Sequence, residues 1–291
     1  MKRKVAVIVD APAAVPQDLV DRYEIGIVPL HAIVDGKDYL ETEVDIEWLL
    51  KRLREKGDVP TTSAPSVGEI LRAYDWAADR AESAISIHMT SVFSKGYDAA
   101  LEARKLALEK HPDMKIEVVD SRTVEAGEMP IAIESATLAA AGAGFDEVVK
   151  KAYDVRDSIC ALFCFDTLFF RDKGGRIFKA KPWAQAEGNH GAGFKAMIEV
   201  DHSTGGTVQL VSRAKAKKQL LQKMVKIAAE RTNGTSLYGA VVHMNAAQDA
   251  GNLEQMLRNE LQVEALHVSQ GRAVTAIQNG EGFVTFGFHA V

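Results

Sequence analysis

The chain has 291 residues, 47% hydrophobic and 26% charged, which is ordinary globular usage and argues against a disordered polymer. That length supports a sizeable core and two lobes. Lysine and arginine number 35 against 40 acidic residues, a net charge of −5 that disfavours bulk attraction to nucleic acid or anionic lipid. No apolar run approaches the roughly 20 residues of a membrane-spanning helix.

The N-terminus Met1-Lys2-Arg3-Lys4 is basic, but the apolar run after it ends at Asp10 without a cleavage-like site. A buried first strand over 5–9 and a cytoplasmic location are expected. A helix near 16–23 and a second strand over 26–34 follow. Residues 45–56 read as a helix, with Ile46, Leu49, Leu50 and Leu53 on one face and Asp45 as cap. Ser66-Val67-Gly68-Glu69 has capping-box spacing and opens the helix carrying Ile70, Leu71 and Tyr74. Strands at 85–88 and 116–119 alternate with helices at 97–108 and 129–141.

Gly142-Ala143-Gly144-Phe145 marks the expected boundary between an N-terminal lobe, 1–144, and a C-terminal lobe, 145–291, which opens with a connector helix. A strand over 159–165 precedes the glycine-rich Lys173-Gly174-Gly175-Arg176 and a loosely patterned flap over 179–194. Short strands at 196–200 and 207–211 read as a hairpin, followed by a basic helix over 213–231. There Arg213, Lys215, Lys217 and Lys218 form a solvated face. A strand over 237–244, a helix over 249–259 and strands at 263–268 and 283–289 finish the chain. The expected fold is α/β in two lobes: a mostly parallel sheet covered by helices, then a smaller mixed lobe, with a ligand tunnel between them.

Two hydroxyl-rich loops stand out. Pro60-Thr61-Thr62-Ser63-Ala64-Pro65 runs into one predicted helix, and Thr90-Ser91-Val92-Phe93-Ser94-Lys95-Gly96 runs into another. Backbone N–H groups and the macrodipole favour an anion at helix N-termini, and hydroxyls add uncharged donors for a carboxylate or phosphate. The plain alternative is helix capping, with Ser63 as the cap. Cys160 and Cys164 fall on one face of a predicted strand, where reduced buried thiols are expected. Eight scattered histidines show no metal-helix spacing, and His88 reads as a satisfied core residue. No phosphate loop, dinucleotide fingerprint or nucleophile elbow is present.

Taken in order, the motifs resemble the DegV family of bacterial fatty-acid-binding proteins, related to the binding subunits of fatty acid kinase. Val28-Pro29-Leu30 is similar to the family's V-P-L, and Pro60-Thr61-Thr62-Ser63-Ala64-Pro65 to its P-T-T-S-Q-P. The run from Ser86 to Tyr97 resembles S-I-H-I-S-S-x-L-S-G-T-Y, and Val118-Val119-Asp120-Ser121 resembles V-x-D-S. Asp166-Thr167-Leu168 and Lys173-Gly174-Gly175-Arg176-Ile177 match D-T-L and K-G-G-R-I. The resemblance implies a long-chain fatty acid with its carboxylate at Thr62 and Ser94, supported by Ser63 and Thr61. It also implies Arg176 near the ligand mouth or a partner-facing surface, and a fatty acid kinase subunit as partner.

Two segments depart from the family. Asp10-Ala11-Pro12-Ala13-Ala14 replaces D-S-T-A-D, and Gln278-Asn279-Gly280-Glu281-Gly282 replaces H-T-G-P-G. Gln278 retains an amide donor for the ligand but not an imidazole, and Glu281 facing the site would add negative charge. The expected protein is a non-catalytic carrier or presenter without cofactor, metal, nucleic-acid or integral membrane contact. An enzyme for a small carboxylated or phosphorylated metabolite, and a regulatory interaction protein, are the alternatives.

Overall fold

A computed structural model describes residues 2–55, 59–170 and 193–291. The first half runs β1 (Arg3–Asp10), α1 (Gln17–Tyr23), β2 (Gly26–Val28), β3 (His31–Val34), β4 (Lys37–Leu40), α2 (Ile46–Arg54) and β5 (Thr61–Ser63). It continues with α3 (Val67–Arg80), β6 (Ala81–His88), α4 (Gly96–Lys110), β7 (Lys115–Asp120), α5 (Glu128–Ala140) and α6 (Phe145–Ser158).

Strands β2-β1-β6-β7 form a parallel sheet covered on both faces, which is why β1 reads as a continuous apolar run. Val5, Val7 and Val9 face α1, α5 and α6, while Ala6 and Ile8 face α3 and α4. The predicted strand over 26–34 is two strands in two sheets. Pro29 has no N–H to continue a ladder, and past it the chain turns into an antiparallel sheet ordered β4-β3-β5. Asp35 and Gly36, at φ of 52° and 75°, make the two-residue turn between β3 and β4. The loop around Thr62 is therefore partly strand, with Thr62 opposite Ala32.

The second half runs β8 (Cys160–Phe165), β9 (Lys195–Glu199), β10 (Gln209–Ala214), α7 (Lys217–Thr232), β11 (Leu237–His243), α8 (Ala247–Glu260), β12 (Val263–Gln270), α9 (Ala273–Asn279) and β13 (Val284–Ala290). Its mixed six-stranded sheet is ordered β10-β9-β8-β13-β11-β12, with β11–β12 the one parallel pair. Alternation in β8 sends Cys160, Leu162 and Cys164 toward α7 and α8, and Ala161, Phe163 and Phe165 toward α5. Both cysteines are free and buried. Helix α5 lies between the two sheets; its residues Glu128 to Ala136 are all buried, and one apolar core joins both halves.

Two further elements differ from the sequence reading. Arg213 pairs with Ala196 in β10, so strand pairing delays the helix to Lys217. The segment read as a turn at Gln278 is the end of α9, whose seven residues are all buried. It is buried on every side and mixes Thr275, Gln278 and Asn279 with apolar residues, so its sequence shows no amphipathic period. The glycine-rich Lys173-Gly174-Gly175-Arg176 and nearly all of the expected flap lie outside the described residues.

Gly287 in β13 lets the second sheet meet the turn before α5. A Cβ there would sit 2.1 Å from the Ala126 carbonyl oxygen and 2.4 Å from its carbon, both backbone atoms. Gly287→Ala is expected to destabilise the fold by about 3 kcal/mol. Urea denaturation checks this as a lower midpoint with an unchanged slope.

Candidate ligand site at the sheet ends

The connections after β1 and β6 leave the parallel sheet on opposite faces, α1 on one and α4 on the other. Adjacent strands whose connections diverge open a crevice at their carboxyl ends. Asp10 ends β1 and His88 ends β6. His88 Nδ1 lies 2.8 Å from Asp10 Oδ1, and its Nε2 lies 2.7 Å from Ser86 Oγ. Asp10 Oδ2 accepts the Met89 N–H at 3.0 Å. An Asp–His–Ser chain has the order of a nucleophile relay, but Ser86 sits inside β6 beneath α3 and α4, short of the strand end where the crevice opens, so its hydroxyl is not placed to attack a substrate. His88 is the satisfied core residue its strand position implies.

Ser94 lies in the turn before α4, where its Oγ accepts the Gly96 N–H at 3.1 Å. A Cβ on Gly96 would stand 3.3 Å from Ser94 Oγ and 3.7 Å from Asp10 Oδ2, so the hydroxyl and the carboxylate flank this glycine. Thr90 Oγ1 donates to the Gly206 carbonyl at 3.2 Å, and Ser91 Oγ to Asp120 Oδ2 at 2.6 Å. Those two hydroxyls fasten the loop.

Thr62 is reached from the opposite end of the chain. Gln278 Nε2, on the buried helix α9, donates to Thr62 Oγ1 at 2.9 Å across 216 residues. Thr62 and Ser94 thus each use an oxygen lone pair on a protein N–H, leaving a hydroxyl hydrogen to donate to a ligand acceptor. Thr61 and Ser63 are exposed and, by strand alternation, point away from the face that carries Thr62. Arg176 is outside the described residues.

The helix cap is Ser66, not Ser63. Ser66 and Glu69 form the expected capping box, with Glu69 Oε2 taking the Ser66 N–H at 2.7 Å. The N-terminus of α3 is therefore already filled by its own carboxylate rather than open to a ligand. Burial works against the Glu69 charge, but hydrogen bonds from Ser66 and His31 outweigh it and hold the carboxyl at about 2.

Buried acids that the sequence reading missed stand against the elements that neighbour Thr62 and carry Gln278. Asn279 Nδ2 donates to Glu125 Oε1 at 2.7 Å. Glu41 accepts the Leu30 and Val274 N–H groups at 3.1 and 3.2 Å, and burial pushes it up to about 7. Glu128, at 0% exposure, has no hydrogen-bond partner on either oxygen. Burial first, then the charges of Asp10, Asp120, Glu125 and Glu41, push its carboxyl well above the usual range. The signal was there: Glu125 and Glu128 interrupt an otherwise apolar run at the start of a helix.

Glu281 does not confront the site with a bare charge. Arg54 Nε holds its Oε2 at 2.8 Å, and Asn245 binds the other oxygen. Lys217, expected on a solvated face, turns inward to Asp166 at 3.0 Å, Asp249 at 2.8 Å and the Gly282 carbonyl at 2.6 Å. This network ties the Asp166 motif to the turn that follows Gln278. Cys160, Glu199 and Asp201 form the one close cluster of potential metal ligands among the described residues. Arg231 already holds Glu199 at 2.6 Å, and the Ala161 and Ser203 N–H groups occupy Asp201, so these donors are committed.

The fold is α/β, with a parallel sheet, a mixed sheet and a small antiparallel sheet, and hydroxyl side chains stand on the loop after β6 and on β5. The chain belongs to the DegV family: the family model described as "Uncharacterised protein, DegV family" matches residues 4–290. The DegV domain-containing protein CPE0304 of Clostridium perfringens is 28% identical over 280 residues, 95% of each chain. A DegV lipid binding protein from Thermotoga maritima superposes with a TM-score of 0.85 at 25% identity, covering 99% of both chains. The Streptococcus pneumoniae fatty acid kinase B3 protein, solved loaded with linoleic acid, gives 0.83 at 18% identity over 99% of this chain and 100% of its own. That last likeness is one of fold. No helix among the described residues is long and apolar enough to cross a membrane.

Proposed function

We propose that this protein binds a long-chain fatty acid without acting on it chemically, and presents the acid to a separate kinase subunit. The observation that carries the reading is the Gln278–Thr62 hydrogen bond, which joins the hydroxyl loop to the segment aligned with the family's histidine turn. Thr62 and Ser94 donate to the carboxylate, Gln278 orients Thr62, and Arg176 serves the mouth or the partner surface. Thr61 and Ser63 support the loop from its outer face. The acyl tail runs between the lobes 1–144 and 145–291, where each buried CH₂ contributes roughly 0.8 kcal/mol. Membership of the DegV family and the likeness to a lipid binding protein at 25% identity support this reading.

Protein purified under native conditions is expected to carry close to one long-chain acid per chain. Mass spectrometry of a denaturing extract reads this directly. An extract empty of acyl species, together with no uptake of added fatty acid, rejects the reading. A polar metabolite in its place favours an enzyme for a small carboxylated or phosphorylated metabolite.

A further inference from the structure

A buried carboxyl group with neither oxygen paired requires a partner, because leaving such a group unsatisfied is costly. Glu128 is that group here: fully buried at the start of α5, both oxygens unpartnered. It lies in the electrostatic reach of Asp10, Asp120, Glu125 and Glu41, contributed by the ends of β1 and β7, the turn before α5 and the turn after β4. These are the residues around the head-group donors. Asp10 flanks Gly96 beside Ser94, Glu125 holds Asn279 next to Gln278, and Glu41 holds Val274 on the same helix. Gln278 Oε1 and Thr123 Oγ1 are further buried oxygens without a partner. Among the charged groups nearby, His88 is engaged by Asp10, and Arg272 stands close to Glu41.

A ligand carboxylate brought into this ring of acids meets repulsion unless one member of the ring offers it a hydrogen. Resting on the fatty-acid reading above, we propose that Glu128 contacts the ligand and donates a hydrogen bond from its carboxylic acid to the ligand carboxylate. The complex then holds one hydrogen between two carboxyl groups. No covalent bond is made or broken, and Glu128 brings the hydrogen itself, so none is drawn from solvent while Glu128 remains protonated. The direction of the Glu128 shift, upward through burial and its acidic neighbours, favours the protonated form. As pH rises through the Glu128 titration the donor is lost and affinity falls.

The test uses the full-length protein, stripped of endogenous lipid, and hexadecanoic acid labelled with ¹³C at the carboxyl. Affinity is measured by calorimetry from pH 6 to pH 9, and the bound ¹³C shift is read in parallel. Glu128→Leu is expected to weaken binding about ten- to a hundred-fold and to move the bound ¹³C signal. Glu128→Gln keeps an N–H donor and the volume; it is expected to bind within about threefold of the parent, without any alkaline loss of affinity the parent shows. If both variants keep the parental affinity, pH profile and ¹³C shift, only water meets Glu128 and the inference is overturned. If Glu128→Leu does not fold, an unchanged ¹³C shift and pH profile in Glu128→Gln overturns it. Parent protein that binds no acid at any pH overturns the fatty-acid reading itself, and the two failures are thereby told apart.

Discussion

Replacing Thr62 and Ser94 together with alanine is expected to weaken fatty-acid binding by about two to four orders of magnitude while the fold persists. Each hydroxyl offers a hydrogen bond to a charged acceptor, which contributes about 1.5–3 kcal/mol, and about 1.4 kcal/mol is tenfold in affinity. Both side chains are half-buried, and each serves as acceptor for one protein donor, Gln278 or Gly96. Their loss therefore leaves the cores of both sheets untouched. Far-UV circular dichroism and the denaturation midpoint check that the fold survives, and titration with a fluorescent acyl probe reads the affinity. A double variant that binds as tightly as the parent places the carboxylate elsewhere. The two loops would then serve only to build β5 and the turn before α4.

The second large effect concerns phosphorylation of the bound acid. The loaded protein, offered ATP and a fatty acid kinase subunit, is expected to yield little acyl phosphate. Gln278→His is expected to raise the yield about a hundredfold, the lower range for a positioned proton-transfer group. A glutamine amide donates a hydrogen bond, but it cannot exchange a proton near neutral pH as imidazole does. The other departure in this turn carries less weight than its sequence implied, because Arg54 and Asn245 hold the Glu281 carboxylate. The difference therefore falls on Gln278. Efficient acyl-phosphate formation by the unaltered protein overturns the expectation. Rescue confined to the histidine variant supports it.

The order of amino acids by itself determined the alternation of strands and helices and the nature of the main core. Val5 to Val9 and Ile159 to Phe165 are apolar runs buried on both faces, and the Asp45 and Ser66 caps act within four residues of themselves. Such signals are local, so they survive without knowledge of partners. The DegV motifs were legible for the same reason, each being a short contiguous stretch. The long-range pairings were decided only by the tertiary structure. Nothing near Thr62 announces Gln278, which lies 216 residues away on a helix whose burial on every side hides its period. Nothing near Lys217 announces that Asp166 and Asp249 will turn a surface charge inward. Only the closing of two sheets around α5 removed Glu125 and Glu128 from water, within reach of Asp10 and Glu41. Burial of a charge depends on what covers it, and here the cover comes from both halves of the chain.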